Sequence, residues 1–484
     1  MEQSRNMTSG QKITSNTSWY LLALIFQKIL SFAYFTILAR FLGPNDYGQY
    51  QLALNFALML SVLADLGLSA VLIRETARKQ IDQKQLFRQI FSLKLLLSIL
   101  SLAIIIICNL LLYANNPVRP LIFLTGFIVI IDSFTLLFYG FLRGQQNLYY
   151  ESIGTIVFQV IILTLGLILM QFNRDPFFFI IVVLLASSFN FLYSLILINK
   201  KYQVKLGWYF DKKLVRSIFF IAWPFALSAL FAKIYAYIDG LILEQMQGAS
   251  QMGLYSVAYK ITFAFQFIPL AFVAALYPAF SHYWQNDKSQ LENTLLRAIN
   301  YLGYIALPIS AGVMCLAPNI ISQLYTSNYS GSSLPLQILI ASLPFLFINF
   351  ALSYFLNATD RQRTNTFNLG LVMILNVVLN VVLIPQWSTL GASLASTIST
   401  ISLFCLNLTA VYKVTQIKLR DWWPLLRAIM ASLLMALVVI FLAKILNIWL
   451  CMIFGFLVYF GFLILFKNLG KEDYFYIRRA LKKS

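Results

Sequence analysis

Helix-length apolar runs repeat along almost the whole chain. They lie near 18–39, 48–72, 92–112, 119–141, 151–170, 177–198 and 217–243, and continue near 253–277, 295–316, 334–356, 365–384, 389–412, 424–446 and 449–466. About twenty such residues match the hydrocarbon thickness of a bilayer. Lipid offers the backbone no hydrogen-bond partner, so only helices or a closed barrel cross it. Barrel strands would read as ten-residue alternating segments, which these runs are not. The expectation is an all-α polytopic membrane protein of about fourteen transmembrane helices. The run at 365–384 is the weakest, because Asn368, Asn376 and Asn380 dilute it. Composition removes the soluble alternative: 60% of the 484 residues are hydrophobic and 11% charged, against roughly 45–50% and 25% in soluble domains.

The net charge of +19 invites a nucleic-acid partner, but its distribution argues for none. With alternate loops assigned to opposite sides, 29 of the 36 lysines and arginines fall on one side. Four, Arg40, Arg119, Arg174 and Lys444, fall on the other. The positive-inside rule then puts both termini in the cytoplasm, which requires an even number of spans. The first sixteen residues are polar and no small-residue cleavage signal follows the first run, so no removable signal peptide is expected. Cys108, Cys315, Cys405 and Cys451 all sit inside apolar spans without C-x-x-C spacing, which argues against disulfides and metal.

The sequence also repeats itself. Residues 22–53 align without a gap on 227–258, an offset of 205, with ten identities that include Lys28/Lys233, Gly43/Gly248, Gly48/Gly253 and Tyr50/Tyr255. A weaker echo joins FLRGQQN at 141–147 to FLNATDR at 355–361. The repeat unit is therefore six helices: an N-lobe at 1–205, a C-lobe at 206–420, and two further helices with a basic tail at 421–484. An even-numbered unit starts both copies on one side, giving two parallel-repeat six-helix lobes with substrate expected between them.

The stretch FLGPNDYGQYQLALNFALMLSVLADLGLSAVLIRETAR at 41–78, with the FLRG at 141–144, resembles the polysaccharide biosynthesis membrane proteins. These O-antigen and exopolysaccharide flippases are a branch of the multidrug, oligosaccharidyl-lipid and polysaccharide exporter superfamily. The resemblance implies a V-shaped pair of lobes in the bacterial inner membrane. Its cargo would be an undecaprenyl-pyrophosphate-linked oligosaccharide, moved from the cytoplasmic to the outer leaflet by alternating access. A polysaccharide polymerase would be a partner in the same pathway.

Lys28 lies roughly 15 Å from either end of its span at 1.5 Å per residue, too deep to snorkel easily. Central charges cost at least about 2.5 kcal/mol and normally face a cavity or a partner. Lys233 holds the equivalent place in the second half, so two cations would meet a pyrophosphate. The competing reading pairs them with Asp132 or Asp239 as structural ion pairs. Lys260, the mate of Asn55, adds a third cation to one half only. Asn55 reads as a cavity lining or as a helix-to-helix hydrogen bond. Asp132 and Asp239 are candidates for coupling to H+ or Na+, with no other cofactor expected. Asp65 is expected in a cytoplasmic network with Arg74 and Glu75, and Glu244 near the outer end of the seventh span. Pro224, Pro269, Pro308 and Pro344 are read as lying inside spans of the second half, whose seventh and eighth helices should bend more than the first two. His282, the sole histidine, is a weaker ligand candidate, and the basic, aromatic tail at 467–483 should lie on the membrane surface.

Two other functions fit less well, and a third stays open. A polymerase or ligase for the same lipid-linked sugars would need a long outer loop. A multidrug exporter normally stops at twelve helices and favours cavity carboxylates. A peptidoglycan-precursor flippase shares the helix count and the anionic cargo.

Overall fold

The computed structural model describes residues 9–78, 82–114, 116–203, 207–415, 419–466 and 468, with side chains from residue 23 onward except at 419 and 420. Most of the tail expected at 467–483 therefore lies outside the described residues, as do residues 1–8.

Among the described residues fifteen α-helices follow one another and there is no strand. They are α1 (Ser9–Leu60), α2 (Leu68–Arg78), α3 (Gln83–Leu112), α4 (Arg119–Gly144), α5 (Tyr149–Leu169), α6 (Pro176–Tyr202), α7 (Lys212–Gln247) and α8 (Ala249–Phe263), then α9 (Phe267–Asn286), α10 (Lys288–Leu324), α11 (Ser333–Ile340), α12 (Leu343–Ala358), α13 (Gln362–Tyr412), α14 (Trp423–Leu442) and α15 (Ile448–Leu465). Eleven stretches are long and apolar enough to cross a bilayer, twelve when the pair 327–340 and 343–358, bent by 42°, counts as one. Two of the twelve are too long for one crossing. At 1.5 Å per residue α1, with 52 residues, would reach about 78 Å, far beyond a hydrocarbon layer of about 30 Å. It breaks at Gly43 (φ 78°, ψ 171°), and the 51-residue α13 breaks at Ser388 (φ 50°, ψ −125°). Each is two spans run together, which brings the count to fourteen.

Four helix caps come from the few acidic residues available. Asp82, Asp175, Asp211 and Asp287 each accept a hydrogen bond from a first-turn N–H of α3, α6, α7 and α10, satisfying donors a helix start leaves open. Pro176 follows Asp175 at the first position of α6, where its missing N–H costs nothing.

Two compact units result. The first comprises Met1–Ser256 with Asn380–Thr389, the second Val257–Leu379 with Leu390–Ser484. In the first, Leu72, Phe87, Leu137 and Phe138 build a core between α2, α3 and α4. In the second, Phe280, Leu295, Phe347 and Phe355 do the same between α9, α10 and α12. Large apolar side chains such as Leu111, Leu437 and Leu465 remain exposed, as lipid-facing surfaces require, since lipid tails are as apolar as leucine.

The repeat is visible in the backbone. Gly248 (φ 87°, ψ 169°) ends α7 in the conformation with which Gly43 breaks α1, a region only glycine enters freely. Within the first unit a Cβ at Gly48 would fall 1.8 Å from the Ala249 carbonyl oxygen, and a Cβ at Gly253 1.9 Å from the Pro44 carbonyl oxygen. Pro44 and Ala249 are themselves repeat mates, so the contact is reciprocal. The second echo holds as well: Gln146 (φ 58°) and Asp360 (φ 59°) occupy equivalent left-handed positions. The next N–H closes each helix end, Asn147 to the Leu142 carbonyl at 3.0 Å and Arg361 to the Leu356 carbonyl at 2.8 Å.

The four prolines lie inside spans. Pro224 and Pro308 lie within single helices. Pro344 opens α12 beside the 42° bend of the pair 327–340 and 343–358, and Pro269 follows a 3-10 turn at Ala264–Gln266 inside the span Ala249–Asn286. In a first turn a proline's missing N–H breaks no helical bond. The first half has its own interruption without proline: Leu66 (φ 40°) and Gly67 (φ 78°) separate the 3-10 turn Ser61–Ala64 from α2.

Candidate functional site

Lys28 and Lys233 stand at the same place in two helices that pack on one another in the first unit, α1 and α7. Each precedes its glycine break by fifteen residues, about 22 Å of helix. Lys28 is exposed and Lys233 half-buried. Lys233 places its ammonium 5.5 Å from the centre of the Tyr237 ring, a favourable approach of a cation to an aromatic face. Among the described residues neither pairs with a carboxylate. The alternative of structural ion pairs with Asp132 or Asp239 is therefore not realised.

Asp239 accepts from two neutral donors. It is 2% exposed, the Tyr255 hydroxyl donates to it at 2.9 Å and the Asn380 amide at 2.7 Å. Asn380 arrives from 141 residues away on the short piece of α13 that belongs to the first unit. The sequence marked Asn376 and Asn380 only as polar blemishes, although their four-residue spacing puts both on one helix face. The repeat mate of Tyr255 is Tyr50, and that of Asp239 is Tyr34, also buried. The scaffold is shared and the carboxylate is confined to the second copy.

Asn55 lies beside this group: a Cβ at Gly240 would come within 3.5 Å of its amide nitrogen. Asp132 is half-buried on α4 and faces Ser187 of α6. Lys260, exposed on α8, belongs to the second unit. His282 is exposed on α9, where its carbonyl accepts from the Asn286 amide at 2.9 Å. Glu244 is buried and accepts from the Asn116 amide at 3.1 Å. Nearby, burial pushes the Tyr113 hydroxyl pKa up to about 12, so it remains a neutral donor. Among the described residues no three His, Cys, Asp or Glu side chains gather as a metal cluster would need.

Asp65 does not join Arg74 and Glu75. Glu75 is taken by Arg74 and Arg78 at 3.5 and 3.4 Å, whereas Asp65 pairs with Lys94 and Ser69. Asp65 stands just ahead of α2, where it accepts from the Ser69 N–H at 3.4 Å and meets Lys94 of α3, while Arg74 lies further along α2. Lys94 is 0% exposed; by sequence it counted among the cytoplasmic loop charges. Its position inside the apolar run from Phe91 onward was the available signal. At the end of α4, Arg143 of the FLRG stretch grips buried Glu151 with two nitrogens, Nε at 2.8 Å.

The profile of the family described as Polysaccharide biosynthesis protein matches residues 13–284, and that described as MatE matches 224–382. The capsular polysaccharide biosynthesis protein CapF of Staphylococcus aureus is 21% identical over 391 residues, covering 80% of this chain and 96% of that protein. The lipopolysaccharide biosynthesis protein WzxC of Escherichia coli (strain K12) is 22% identical, covering 69% and 67%. Among solved structures, the lipid II flippase MurJ in its inward closed conformation has a TM-score of 0.77 at 17% identity, covering 92% of this chain and 98% of that one. An inward-facing multidrug resistance transporter of the MATE family has a TM-score of 0.67 at 15% identity, covering 81% and 96%.

Proposed function

The chain belongs to the polysaccharide biosynthesis protein family, and from that premise we propose that it is a flippase for lipid-linked oligosaccharides, a transporter and not a catalyst. In this reading it carries undecaprenyl-pyrophosphate-linked repeat units across the bacterial cytoplasmic membrane by alternating access, with both termini in the cytoplasm. The names of its relatives, a capsular polysaccharide protein and a lipopolysaccharide protein, support that class of cargo.

The observation that carries the reading is the pair Lys28 and Lys233. They are repeat-related lysines deep in apolar helices, and neither has a carboxylate partner among the described residues. An uncompensated cation inside a membrane protein is costly, and an arriving diphosphate offsets that cost through charge-assisted hydrogen bonds. Asn55 and Lys260 are assigned to the same anionic cargo. Asp239, held by Tyr255 and Asn380, is the coupling carboxylate for H+ or Na+, with Asp132 as a second one.

The test is gene deletion followed by analysis of lipid-linked intermediates, then transport in proteoliposomes. Accumulation of a cytoplasmic-leaflet oligosaccharide lipid supports the proposal. Unchanged surface polysaccharide with altered drug sensitivity would instead indicate a multidrug exporter, and loss of wall precursor transport a peptidoglycan-precursor flippase.

A further inference from the structure

Residues 209–211, just ahead of α7, are fastened to α3. Asp211 donates its N–H to Gln89 Oε1 at 2.7 Å, and Tyr209 its N–H to Ser92 Oγ at 3.0 Å. Gln89 and Ser92 are fully buried. The Tyr209 hydroxyl is bonded by the Gln85 amide, and the Arg88 guanidinium lies 5.9 Å from the Tyr209 ring centre. Tyr209 thus turns its ring toward α3, while its neighbours Trp208 and Phe210 are 58% and 54% exposed.

The chain beyond this strap turns cationic. Asp211 spends its carboxylate on the Lys213 and Leu214 N–H groups as the α7 cap. The first turns of α7 then present exposed Lys212, Lys213 and Arg216, none with an ion-pair partner among the described residues. Arg216 lies 5.9 Å from the Phe220 ring centre, and Phe219, Phe220 and Trp223 are all more than half exposed. Interfacial aromatics with free cations a turn away match the glycerol and phosphate layers of a lipid. Zwitterionic headgroups would accommodate the aromatic rings but would leave three positive charges without net compensation.

We propose that this strap and the start of α7 form a docking surface for the headgroup of an anionic phospholipid, with Trp208 and Phe210 seated at the glycerol level and Lys212, Lys213 and Arg216 on the phosphate. The proposal concerns a resident lipid, not cargo, and does not depend on the transport reading. It is tested by native mass spectrometry of the full chain titrated with phosphatidylglycerol or phosphatidylcholine, comparing wild type with the triple variant Lys212→Gln, Lys213→Gln, Arg216→Gln. Wild type should retain phosphatidylglycerol over phosphatidylcholine, and the triple variant should lose that preference by about fivefold per cation removed. Trp208→Ala with Phe210→Ala should weaken both lipids alike. A triple variant that keeps the preference, or a wild type with none, overturns the proposal. So does displacement of the lipid by millimolar inorganic phosphate, which would mean a simple phosphate site. Should the triple variant misfold, Lys213→Gln alone, at an exposed position, reads the same preference.

Discussion

The ammonium of Lys94, closed off from solvent, is held by the carboxylate of Asp65, 29 residues earlier, with the Ser69 hydroxyl bonded to both. Asp65 itself stands on a turn where Leu66 and Gly67 take positive φ. A buried pair of this kind punishes the loss of one member far more than the loss of both. Lys94→Met should lower stability by about 3 kcal/mol, whereas Lys94→Met combined with Asp65→Leu should recover most of it. Thermal unfolding of the purified variants in detergent, analysed as a double-mutant cycle, measures the coupling. Additive losses would mean that the pair contributes nothing as a pair.

Alanine at Gly48 or Gly253 places a methyl group inside van der Waals contact with a backbone carbonyl, so each should destabilise by about 3 kcal/mol through overpacking. At Gly43 nothing beyond its own chain neighbours lies within 4 Å of an added Cβ. Only the backbone conformation penalises alanine there, at about 1 to 3 kcal/mol. Yield and melting temperature of the three single variants give the ranking, and a Gly43 variant worse than the other two would contradict it.

Glutamine at Lys28 or Lys233 removes charge while keeping most of the side chain. Each change should cut initial transport of a pyrophosphate-linked oligosaccharide in proteoliposomes at least about tenfold, consistent with charge-assisted phosphate contacts. Melting temperatures should barely move, because neither lysine holds a structural ion pair. Wild-type transport rates in both variants would remove these lysines from the cargo site.

Asp239→Asn keeps the shape and the bond to Tyr255 but cannot ionise. Transport that rises with a proton or sodium gradient in wild type should become insensitive to that gradient in the variant. Tyr255→Phe should keep the gradient dependence at reduced affinity. A gradient response preserved in Asp239→Asn would assign coupling elsewhere, with Asp132→Asn the next variant to assay.

The spans and the pairing of Gly43 with Gly248 and of Gly48 with Gly253 were legible because they rest on hydropathy and on identity at one offset. Both signals are linear in sequence. The surroundings of the carboxylates were not, since they depend on partners brought in by tertiary structure. Asn380 meets Asp239 across 141 residues, and Lys94 looked like a loop charge because the basic stretch from Arg74 to Arg88 runs straight into its helix.

The reciprocal approach of Gly48 to Ala249 and Gly253 to Pro44 has the pattern of an isologous dimer interface, in which residue i meets j and j meets i. Here it is preserved within one polypeptide. A true homodimer must repeat every substitution on both sides of its axis, while a fused pair need not. Covalent linkage thus leaves the glycine crossing under the old symmetry and releases the positions around it, so that one copy can carry Asp239 where the other keeps Tyr34, and Lys260 where the other keeps Asn55.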